Sequence, residues 1–341
     1  MQIKIGKQRF GLIVAAIPIA LNLFVPSMAD AAPKFSLPVD CDPGKDCWVQ
    51  NLVDMDAGPE RVDPFCGKAS FNTHKGTDFR VADVTDLRKG VDILAPADGQ
   101  IVGLRDGVAD RLVTNKSDVA KIKGIECGNG VVIAHGDGWT TQLCHMARGS
   151  VNVKKGEKVR RGQVVGKMGL SGHTTFPHIH MTVRLGKKII DPMSGLAQTA
   201  RCQPRSSVKL PKAALWDSDT QKLLALPMTA LIKSGFAGAP VGSRDVLRST
   251  IKPVTSSGPM VFFVQLINVR KGDRIDLTVD GPDGRFAQSK GKPIPGAKAN
   301  WTVYAGKKGA VPKGATFTGN VRLIRDGEVV IEQSGVAFQL N

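Results

Sequence analysis

Aromatic side chains are scarce in this sequence, and only one of its 341 residues is a tyrosine. Phe, Trp and Tyr together make up 5% of the chain, whereas Gly occurs 38 times and Pro 20 times. This composition suits short strands joined by tight turns rather than long helices. A chain of this length is too long for one average domain and comfortable for two. We therefore predict a mostly β protein with two folded domains.

A continuous apolar run that could serve as a membrane anchor is also missing from the N-terminus. The run from Phe10 to Val25 is short and Pro18 interrupts it, while basic residues precede it and Ala29-Asp30-Ala31 follows it. This order is typical of a secretory signal peptide that is cleaved after Ala31. The alternative, a membrane anchor, would need a longer uninterrupted segment. We predict a signal peptide over residues 1–31, a periplasmic or secreted mature protein, and no stable membrane span after cleavage.

Acidic residues are too few to balance the basic ones, and the formal net charge is +17. Loss of the predicted signal peptide removes three basic residues and one acidic residue, which leaves about +15. Because an exported protein is separated from the nucleic acids inside the cell, we predict no nucleic-acid partner. The charge favours an anionic envelope polymer or lipid surface as the partner. The alternative is that scattered Lys and Arg serve solubility alone.

No Cys-x-x-Cys pair occurs in the chain, which argues against a zinc site built from cysteines. The six cysteines of an exported chain instead predict disulfide bonds. Cys127 and Cys144 flank a predicted hairpin with its turn at Gly136-Asp137-Gly138, so they are close enough to form a bridge. The remaining four admit three connectivities, and the sequence does not choose among them: Cys41, Cys47, Cys66 and Cys202.

The helical His-Glu-x-x-His zinc motif is absent as well, and histidine occurs only six times. In His74-x-x-x-Asp78, Gly76 and the β-leaning residues after it predict a turn that runs into a strand. His178 and His180 are one residue apart on a predicted strand and therefore point to the same face. We predict that His74, Asp78 and His180 bind Zn²⁺, because two His and one carboxylate leave a fourth position open for catalysis.

Such a site predicts hydrolysis of an amide bond. Zinc lowers the pKa of a water to about 7 and polarises the carbonyl that is attacked. A proton acceptor is still required, and no Glu stands in a recognisable position. We predict His178 as the general base and His145 as the group that stabilises the oxyanion or protonates the leaving amine. The sequence leaves open an exchange of these two roles. His135 and His173 are predicted to be structural or surface histidines.

Composition and strand patterns divide the rest of the chain into segments. Residues 32–69 read as a disulfide-stapled N-terminal lead-in, whose Asn51, Asp54 and Asp56 are expected to organise loops rather than approach the metal. Residues 70–200 read as a compact antiparallel β unit, with strands near 131–133, 141–143, 151–153, 164–166 and 179–185. A linker over 201–245, with helical turns near 220–234, precedes a small β-sandwich over 246–341, with strands near 261–266, 274–279 and 319–324.

Four motifs in order resemble the lysostaphin-type (LytM) zinc metallopeptidases: His74-x-x-x-Asp78, Cys144-His145-Met146, Gly156-x-x-Val159-x-x-Gly162-Gln163-x-x-Gly166 and Pro177-His178-Ile179-His180. The resemblance covers about residues 70–195 and implies that 70–200 is a peptidase domain. It implies that His74, Asp78 and His180 bind zinc and that His145 and His178 are catalytic. It also implies cleavage of peptide cross-links in peptidoglycan. One departure is Met181-Thr182, where many members of the family have Phe-Glu.

Other classes of function are alternatives. Some relatives of that family have lost their metal ligands and act as non-catalytic regulators that activate other cell-wall hydrolases, but all five site residues are present here. A wall-binding module could instead rely on the basic surface and the C-terminal sandwich, with a vestigial zinc. A secreted protease that acts on Gly-rich proteins would use the same zinc chemistry on a different substrate.

Overall fold

The computed structural model describes residues 32–309 and 311–340. The predicted signal peptide, residues 1–31, lies outside this part of the chain. Strands account for most of the regular structure that is described, and the helices there are short. The mostly β fold class is therefore confirmed. No helix within the described residues is long and apolar enough to cross a membrane.

The first part of the chain is built around one large antiparallel sheet. Its elements are β1 (Cys47–Asn51), β2 (Thr77–Val81), α1 (Val84–Arg88), β3 (Asp92–Leu94), β4 (Gly99–Arg105), α2 (Lys116–Lys121), β5 (Asn129–Ala134), β6 (Trp139–Met146), β7 (Lys158–Val159), β8 (Val164–Lys167), β9 (His178–Leu185) and β10 (Lys188–Ile190). The sheet has the order β1-β2-β9-β6-β5-β4-β7, and β10 pairs with β9. Strands β3 and β8 form a separate two-stranded ladder. The neighbours β2, β9 and β6 carry Asp78, the pair His178 and His180, and His145, and His74 lies just before β2.

Alternation along these strands separates the core from the functional face. On β9, Ile179, Met181 and Val183 are fully buried in the main core, whereas His178 and His180 project from the opposite face because successive strand residues alternate. The same alternation on β2 buries Phe79 against Trp216, with the ring centroids 5.9 Å apart, and turns Asp78 the other way. The apolar residues of these strands thus anchor the polar ones that lie between them.

Three disulfide bonds close loops in this part of the chain. Cys127 is bonded to Cys144, as the hairpin predicted. Of the three possible connectivities for the other four cysteines, the structure has Cys41–Cys47 and Cys66–Cys202. The second bridge joins the N-terminal lead-in to the segment that follows the large sheet. No free cysteine is found among the described residues.

The second part of the chain forms two packed sheets. Its elements are α3 (Ser218–Leu223), β11 (Ala230–Ala237), α4 (Ser243–Arg248), β12 (Met260–Val269), β13 (Arg274–Gly281), β14 (Gly284–Ser289), β15 (Lys298–Lys307), β16 (Thr316–Arg325) and β17 (Glu328–Gln339). One sheet has the order β11-β12-β15 and the other β14-β13-β16-β17. Residues of both sheets share a core that includes Phe262, Val264, Leu277 and Leu323. This is the small β-sandwich that the alternating segments predicted.

Two local predictions were wrong. Residues 151–153 are not a strand, because a single backbone–backbone hydrogen bond, from the Asn152 N–H to the Val165 carbonyl at 3.3 Å, joins them to β8. The helical turns expected near 220–234 end with α3, and the strand β11 follows, because it pairs along β12, all of whose residues are buried. The disulfide-stapled lead-in also contains a strand that was not predicted, since β1 pairs with β2 at the edge of the large sheet. The domain boundaries given above remain predictions.

The sandwich packs against the β1 edge of the large sheet. Asn268 Nδ2 donates to the Gln50 carbonyl at 2.8 Å, and Lys233 Nζ lies 2.8 Å from an Asp83 carboxylate oxygen. Trp48 belongs to a small apolar cluster that also contains Ile267 of β12. Apolar, hydrogen-bonded and ionic contacts therefore fix the sandwich beside the strand that precedes Asp78 in the sheet.

Candidate metal centre

The three predicted ligands meet at one point on the functional face of the large sheet. His74 precedes β2, Asp78 lies on β2, and His180 stands opposite Asp78 on the neighbouring strand β9. His74 Nε2 lies 3.1 Å from Asp78 Oδ1 and 3.0 Å from His180 Nδ1, and His180 Nδ1 lies 2.9 Å from the same Asp78 oxygen. Within the described residues, this trio is one of two groups whose ligand atoms converge closely enough for a metal. The other contains Cys41 and Cys47, which are joined in a disulfide.

Hydrogen bonds behind each ligand orient its lone pair toward that point. His74 Nδ1–H donates to the Leu52 carbonyl at 2.7 Å, which leaves Nε2 as the free acceptor. His180 Nε2–H donates to Thr182 Oγ1 at 2.9 Å, which leaves Nδ1 free. Asp78 Oδ2 accepts from Asn51 Nδ2 at 2.8 Å, so Oδ1 is the oxygen that faces the two histidines.

This arrangement fits a zinc ion. Three acceptor atoms that face one another at about 3 Å without a donor between them repel unless a cation lies among them. Zinc binds imidazole nitrogen and carboxylate oxygen at roughly 2.0–2.2 Å. Zinc ligands are typically oriented by a further hydrogen bond, and Leu52, Thr182 and Asn51 supply such bonds here. We therefore take His74, Asp78 and His180 as the residues that would hold it.

Charge at this centre is strongly coupled. Burial works against ionisation of Asp78, but the histidines around it outweigh burial and hold the pKa of its carboxyl well below the ordinary range. Burial likewise disfavours a charged His74, yet the charge of Asp78 and the bond to it raise the pKa of that imidazole. Asp78 is therefore an anion at neutral pH, and the centre attracts positive charge.

Two further histidines, His145 and His178, flank the ligands. The ring centroid of His145 lies 4.7 Å from that of His178 and 6.0 Å from that of His180. His178 Nε2 lies 3.7 Å from Asp78 Oδ1. His145 Nδ1–H donates to the Ser171 carbonyl and His178 Nδ1–H to the Phe176 carbonyl, each at 2.8 Å. Burial lowers the pKa of both rings, so each is neutral and presents an unprotonated Nε2.

The backbone at His145 is held in an unusual conformation. Its φ of 70° lies in the left-handed region, which costs a residue other than glycine about 1–3 kcal/mol. The His145 N–H donates to the Cys127 carbonyl at 2.8 Å, and the Gly169 N–H donates to the His145 carbonyl at 2.9 Å. The Cys127–Cys144 bridge adjoins the same turn. The surrounding structure therefore fixes the direction of the His145 ring.

The five residues lie in an open cleft of roughly 800 Å³. Its walls come from three parts of the chain: Phe71 near the lead-in, His173 in the loop before β9, and Asn300 of the C-terminal sandwich. The Phe71 ring is 48% exposed and its centroid lies 4.3 Å from that of His74. A substrate in this cleft would touch an aromatic rim and the sandwich as well as the metal centre.

The other candidates take structural positions. His135 bonds to the Asp98 carbonyl and to Thr141 Oγ1, away from the cleft. Asp54 accepts backbone N–H groups of Val62 and Thr73 and so organises a loop. Asp56 does the same for two later residues, Gly58 and Glu60. Asp92, which repeats part of the His74 motif, forms an ion pair with Lys167 at 2.6 Å.

Sequence reasoning missed two residues that support the ligands. Asn51 was assigned to a loop, yet it pairs in register with Asp78 and bonds to its carboxylate. Thr182, noted only as a departure from the usual Phe-Glu, accepts the hydrogen bond of His180. Thr182 could have been found, because it lies two residues after His180 on one strand face. Asn51 could not, since nothing local fixes which strand β1 joins.

Comparison with known proteins agrees with this geometry. The model of peptidase family M23 matches residues 72–192. The chain is similar to the peptidoglycan DD-endopeptidase ShyA of Vibrio cholerae, with 28% identity over 150 residues that cover 44% of this chain and 29% of that protein. It is also similar to an uncharacterized metalloprotease of Buchnera aphidicola, with 31% identity over 121 residues, 36% of this chain and 29% of that protein. Among solved structures, the catalytic domain of lysostaphin from Staphylococcus simulans is 22% identical, covers 42% of this chain and 86% of its own, and has a TM-score of 0.27. The chain thus spans less than a third of the length of these two curated relatives.

Proposed function

We propose, because the chain carries a peptidase family M23 domain at residues 72–192, that it is a zinc endopeptidase that hydrolyses peptide cross-links of peptidoglycan in the periplasm or outside the cell. The observation that carries the proposal is the convergence of three oriented acceptors beside two neutral histidines in an open cleft. A purely structural metal site would have no use for His145 and His178 or for a free approach from solvent.

Zinc, when bound, lowers the pKa of a water to about 7 and polarises the carbonyl of the scissile amide. His178 is the general base, because its Nε2 is unprotonated and lies beside the ligand set, 3.7 Å from Asp78 Oδ1. Once it has taken the proton, His178 is a cation that Asp78 stabilises, since opposite charges at this distance attract strongly in a buried site. The Phe176 carbonyl holds its Nδ1–H and fixes the ring during the transfer.

His145 acts on the other side of the reacting carbon. Its Nε2 faces the cleft, and the ring cannot turn away because Nδ1–H is held by the Ser171 carbonyl. Burial lowers the pKa of His145 in the free protein, so its Nε2 must first take up a proton from the solvent in the open cleft as negative charge develops on the carbonyl oxygen. His145 then donates that proton to this oxygen or to the leaving amine. The left-handed backbone at this residue is consistent with a side chain that is positioned for function rather than for packing.

Charge and relatives support peptidoglycan as the substrate. The net positive charge, about +15 after the predicted cleavage, attracts the protein to an immobile anionic polymer. The six cysteines are all bridged, which suits an oxidising compartment. A relative that shares this domain is named a peptidoglycan DD-endopeptidase. We extend that substrate class to this chain, with a cross-link between stem peptides as the bond that is cut.

The test combines zinc analysis with digestion of purified peptidoglycan by the mature protein. We expect about one zinc per chain and new amines derived from cross-links in the mass spectrum. His180→Ala should lose both metal and activity, whereas His178→Ala should keep the metal and lose turnover. His135→Ala, which alters a histidine outside the cleft, is the matched control and should keep both.

Three outcomes would overturn parts of this assignment. Metal-free His178→Ala protein would show that the ligand set is wrong. Zinc-loaded protein that leaves cross-links intact but cleaves casein or elastin would replace peptidoglycan with Gly-rich protein as the substrate. Protein that binds wall material, holds no zinc and cleaves neither substrate would favour a non-catalytic regulator.

A further inference from the structure

A buried positive charge next to the catalytic cleft has no carboxylate of the described residues in contact with it. Arg80 lies on β2 and is 2% exposed. Its guanidinium donates to the Val81 and Ala82 carbonyls at 3.0 and 2.9 Å, to Asn300 Oδ1 at 2.9 Å, and to Gln50 Oε1. All these acceptors are neutral. No carboxylate of the described residues lies within 4.0 Å of the Arg80 guanidinium. Burial lowers the pKa of Arg80, and the charge of Asp83, which is itself paired with Lys233, opposes this only from a greater distance. A buried charge without a partner in contact is strongly unfavourable.

Arg80 lines a second pocket that adjoins the catalytic cleft. The pocket holds about 270 Å³ and shares Thr175, Phe176 and Asn300 with the cleft, so these three residues form a common wall. Its far side is helix α4 of the second part of the chain, which contributes Arg244 and Arg248. No Asp or Glu is among the residues that line it. The pocket is therefore bounded by three guanidinium groups and neutral side chains.

The two helical arginines reinforce the positive potential. Arg244 and Arg248 are four residues apart on α4, so they share a helix face, where like charges repel. Both are exposed, and neither forms an ion pair with any described residue. The repulsion between two exposed arginines is weak, but both add to the positive potential beside Arg80. An anionic ligand would offset the repulsion, and the planar fork of arginine is suited to a carboxylate.

We infer that this pocket is a subsite for a carboxylate of the substrate, next to the metal centre where the amide is cut. The inference rests on the proposed function, because a cross-linked stem peptide carries free carboxylates close to its amide bonds. A peptide that crosses the common wall would have such a group in the pocket and its neighbouring amide in the cleft. Arg244, Arg248 and Arg80 would then select an anionic peptide over an amidated one, which assigns a specificity role to the C-terminal part of the chain.

A binding experiment tests the pocket without using activity. The zinc-loaded full chain, labelled with ¹⁵N at arginine, is titrated with N-acetyl-D-alanine and with N-acetyl-D-alaninamide, which is identical except that it lacks the charge. We expect the acid to shift the Nε–H signal of Arg80 in a saturable way and the amide not to shift it. Arg244→Ala/Arg248→Ala should weaken binding of the acid at least about tenfold, as loss of charged hydrogen bonds does. Lys187→Ala/Lys188→Ala removes the same charge from an exposed turn and should change nothing.

A kinetic experiment tests the role in specificity. Cross-linked stem-peptide dimers from peptidoglycan are compared in the free-acid form and after their carboxylates have been converted to carboxamides. We expect KM to be at least about tenfold higher for the amidated dimers, with kcat within about twofold. In Arg244→Ala/Arg248→Ala the two KM values should converge, whereas Arg244→Lys/Arg248→Lys should restore part of the difference.

The two experiments separate this inference from the function on which it rests. Equal KM values for both dimers, or an acid titration that leaves the Arg80 signal unmoved or is unaffected by the alanine pair, would overturn the subsite. If neither dimer is cleaved, the proposed peptidoglycan activity fails, and the titration still decides whether the pocket binds a carboxylate.

Discussion

Replacement of Asn51 by Ala tests whether the N-terminal lead-in is part of the metal centre. Asn51 is 4% exposed and its Nδ2 donates to Asp78 Oδ2 at 2.8 Å. It stands opposite Asp78 in the ladder of β1 and β2. The bond holds the carboxylate in the rotation that turns Oδ1 toward His74 and His180. Without it, Asp78 can rotate and its second oxygen is buried without a partner.

The magnitude follows from the charge of the acceptor. A hydrogen bond to an ionised group contributes about 1.5–3 kcal/mol, and loss of an outer partner of a metal ligand lowers metal affinity about 10–100-fold. These ranges agree, because a tenfold change in affinity corresponds to about 1.4 kcal/mol. We expect Asn51→Ala to raise the zinc dissociation constant by that factor and to lower kcat little once zinc is saturating.

Competition for zinc with a chromophoric chelator measures the affinity, and urea unfolding of the same samples measures stability. Asn268→Ala is the matched control, because Asn268 Nδ2 also donates to β1, at the Gln50 carbonyl, but does not touch a ligand. It should reduce stability and leave zinc affinity unchanged, because the pairing of β1 with β2 and the apolar cluster of Trp48 and Ile267 still hold β1 in place. If Asn51→Ala bound zinc as tightly as the parent while losing stability like the control, our reasoning about Asp78 would be refuted.

Three further predictions concern the protein beyond the centre. Burial raises the pKa of Asp191 to about 6 against the opposing bonds from Ser194, so the folded state retains a proton that the unfolded state has lost. Stability should therefore fall by up to about 3 kcal/mol as pH rises from about 4 to 6 and then level off. Urea unfolding of Asp191→Asn should lack this slope, and parallel curves would contradict the assignment. The Cys66–Cys202 bridge spans 136 residues and the Cys41–Cys47 bridge only 6. Removal of the first bridge should therefore lower the unfolding free energy by about 2–3 kcal/mol more than removal of the second, and equal losses would count against this. Thiol titration of the denatured, unreduced parent should find no free thiol. Cosedimentation of the mature protein with wall material should weaken as ionic strength rises, because its positive charge of about +15 acts through screened long-range attraction. Salt-independent binding would assign the affinity to short-range contacts.

The metal centre was predictable because its geometry is mostly local. His178 and His180 share a strand face whatever the rest of the fold, and the apolar residues between and after them identify which face is buried. Gly76 predicts the turn before β2. In the structure a Cβ at this position would lie 2.4 Å from the Met181 carbonyl oxygen, so only glycine fits there. This close approach of β2 and β9 is what brings Asp78 opposite His180. Local spacing was therefore enough to predict which three residues the structure brings together, and the tight contact at Gly76 explains how they meet.

What the sequence could not reveal depends on contacts between distant segments. The apolar residues of the β11 segment are compatible with either a short helix or a strand, and its pairing with β12 makes it a strand. Cys66 is bonded to Cys202 because the lead-in lies beside the segment that follows the large sheet. The sequence separation of the two cysteines does not predict this proximity. Arg80 reads as an ordinary exposed strand residue until the sandwich covers it and Asn300 supplies an acceptor. In each case the structure of the residue depends on a distant segment that packs against it, so the local sequence does not predict that structure.

Two of the predicted zinc ligands depend on residues that lie outside the family match. The family match starts at residue 72, yet His74 depends on the Leu52 carbonyl and Asp78 on Asn51, both outside it. Strand β1, which supplies these partners, is in turn held by Asn268 and by the apolar contact between Trp48 and Ile267 of the sandwich. A fragment limited to residues 72–192 would keep every ligand and lose the groups that orient two of them. The sandwich therefore reaches the metal centre through β1, although it has no histidine and supplies no ligand.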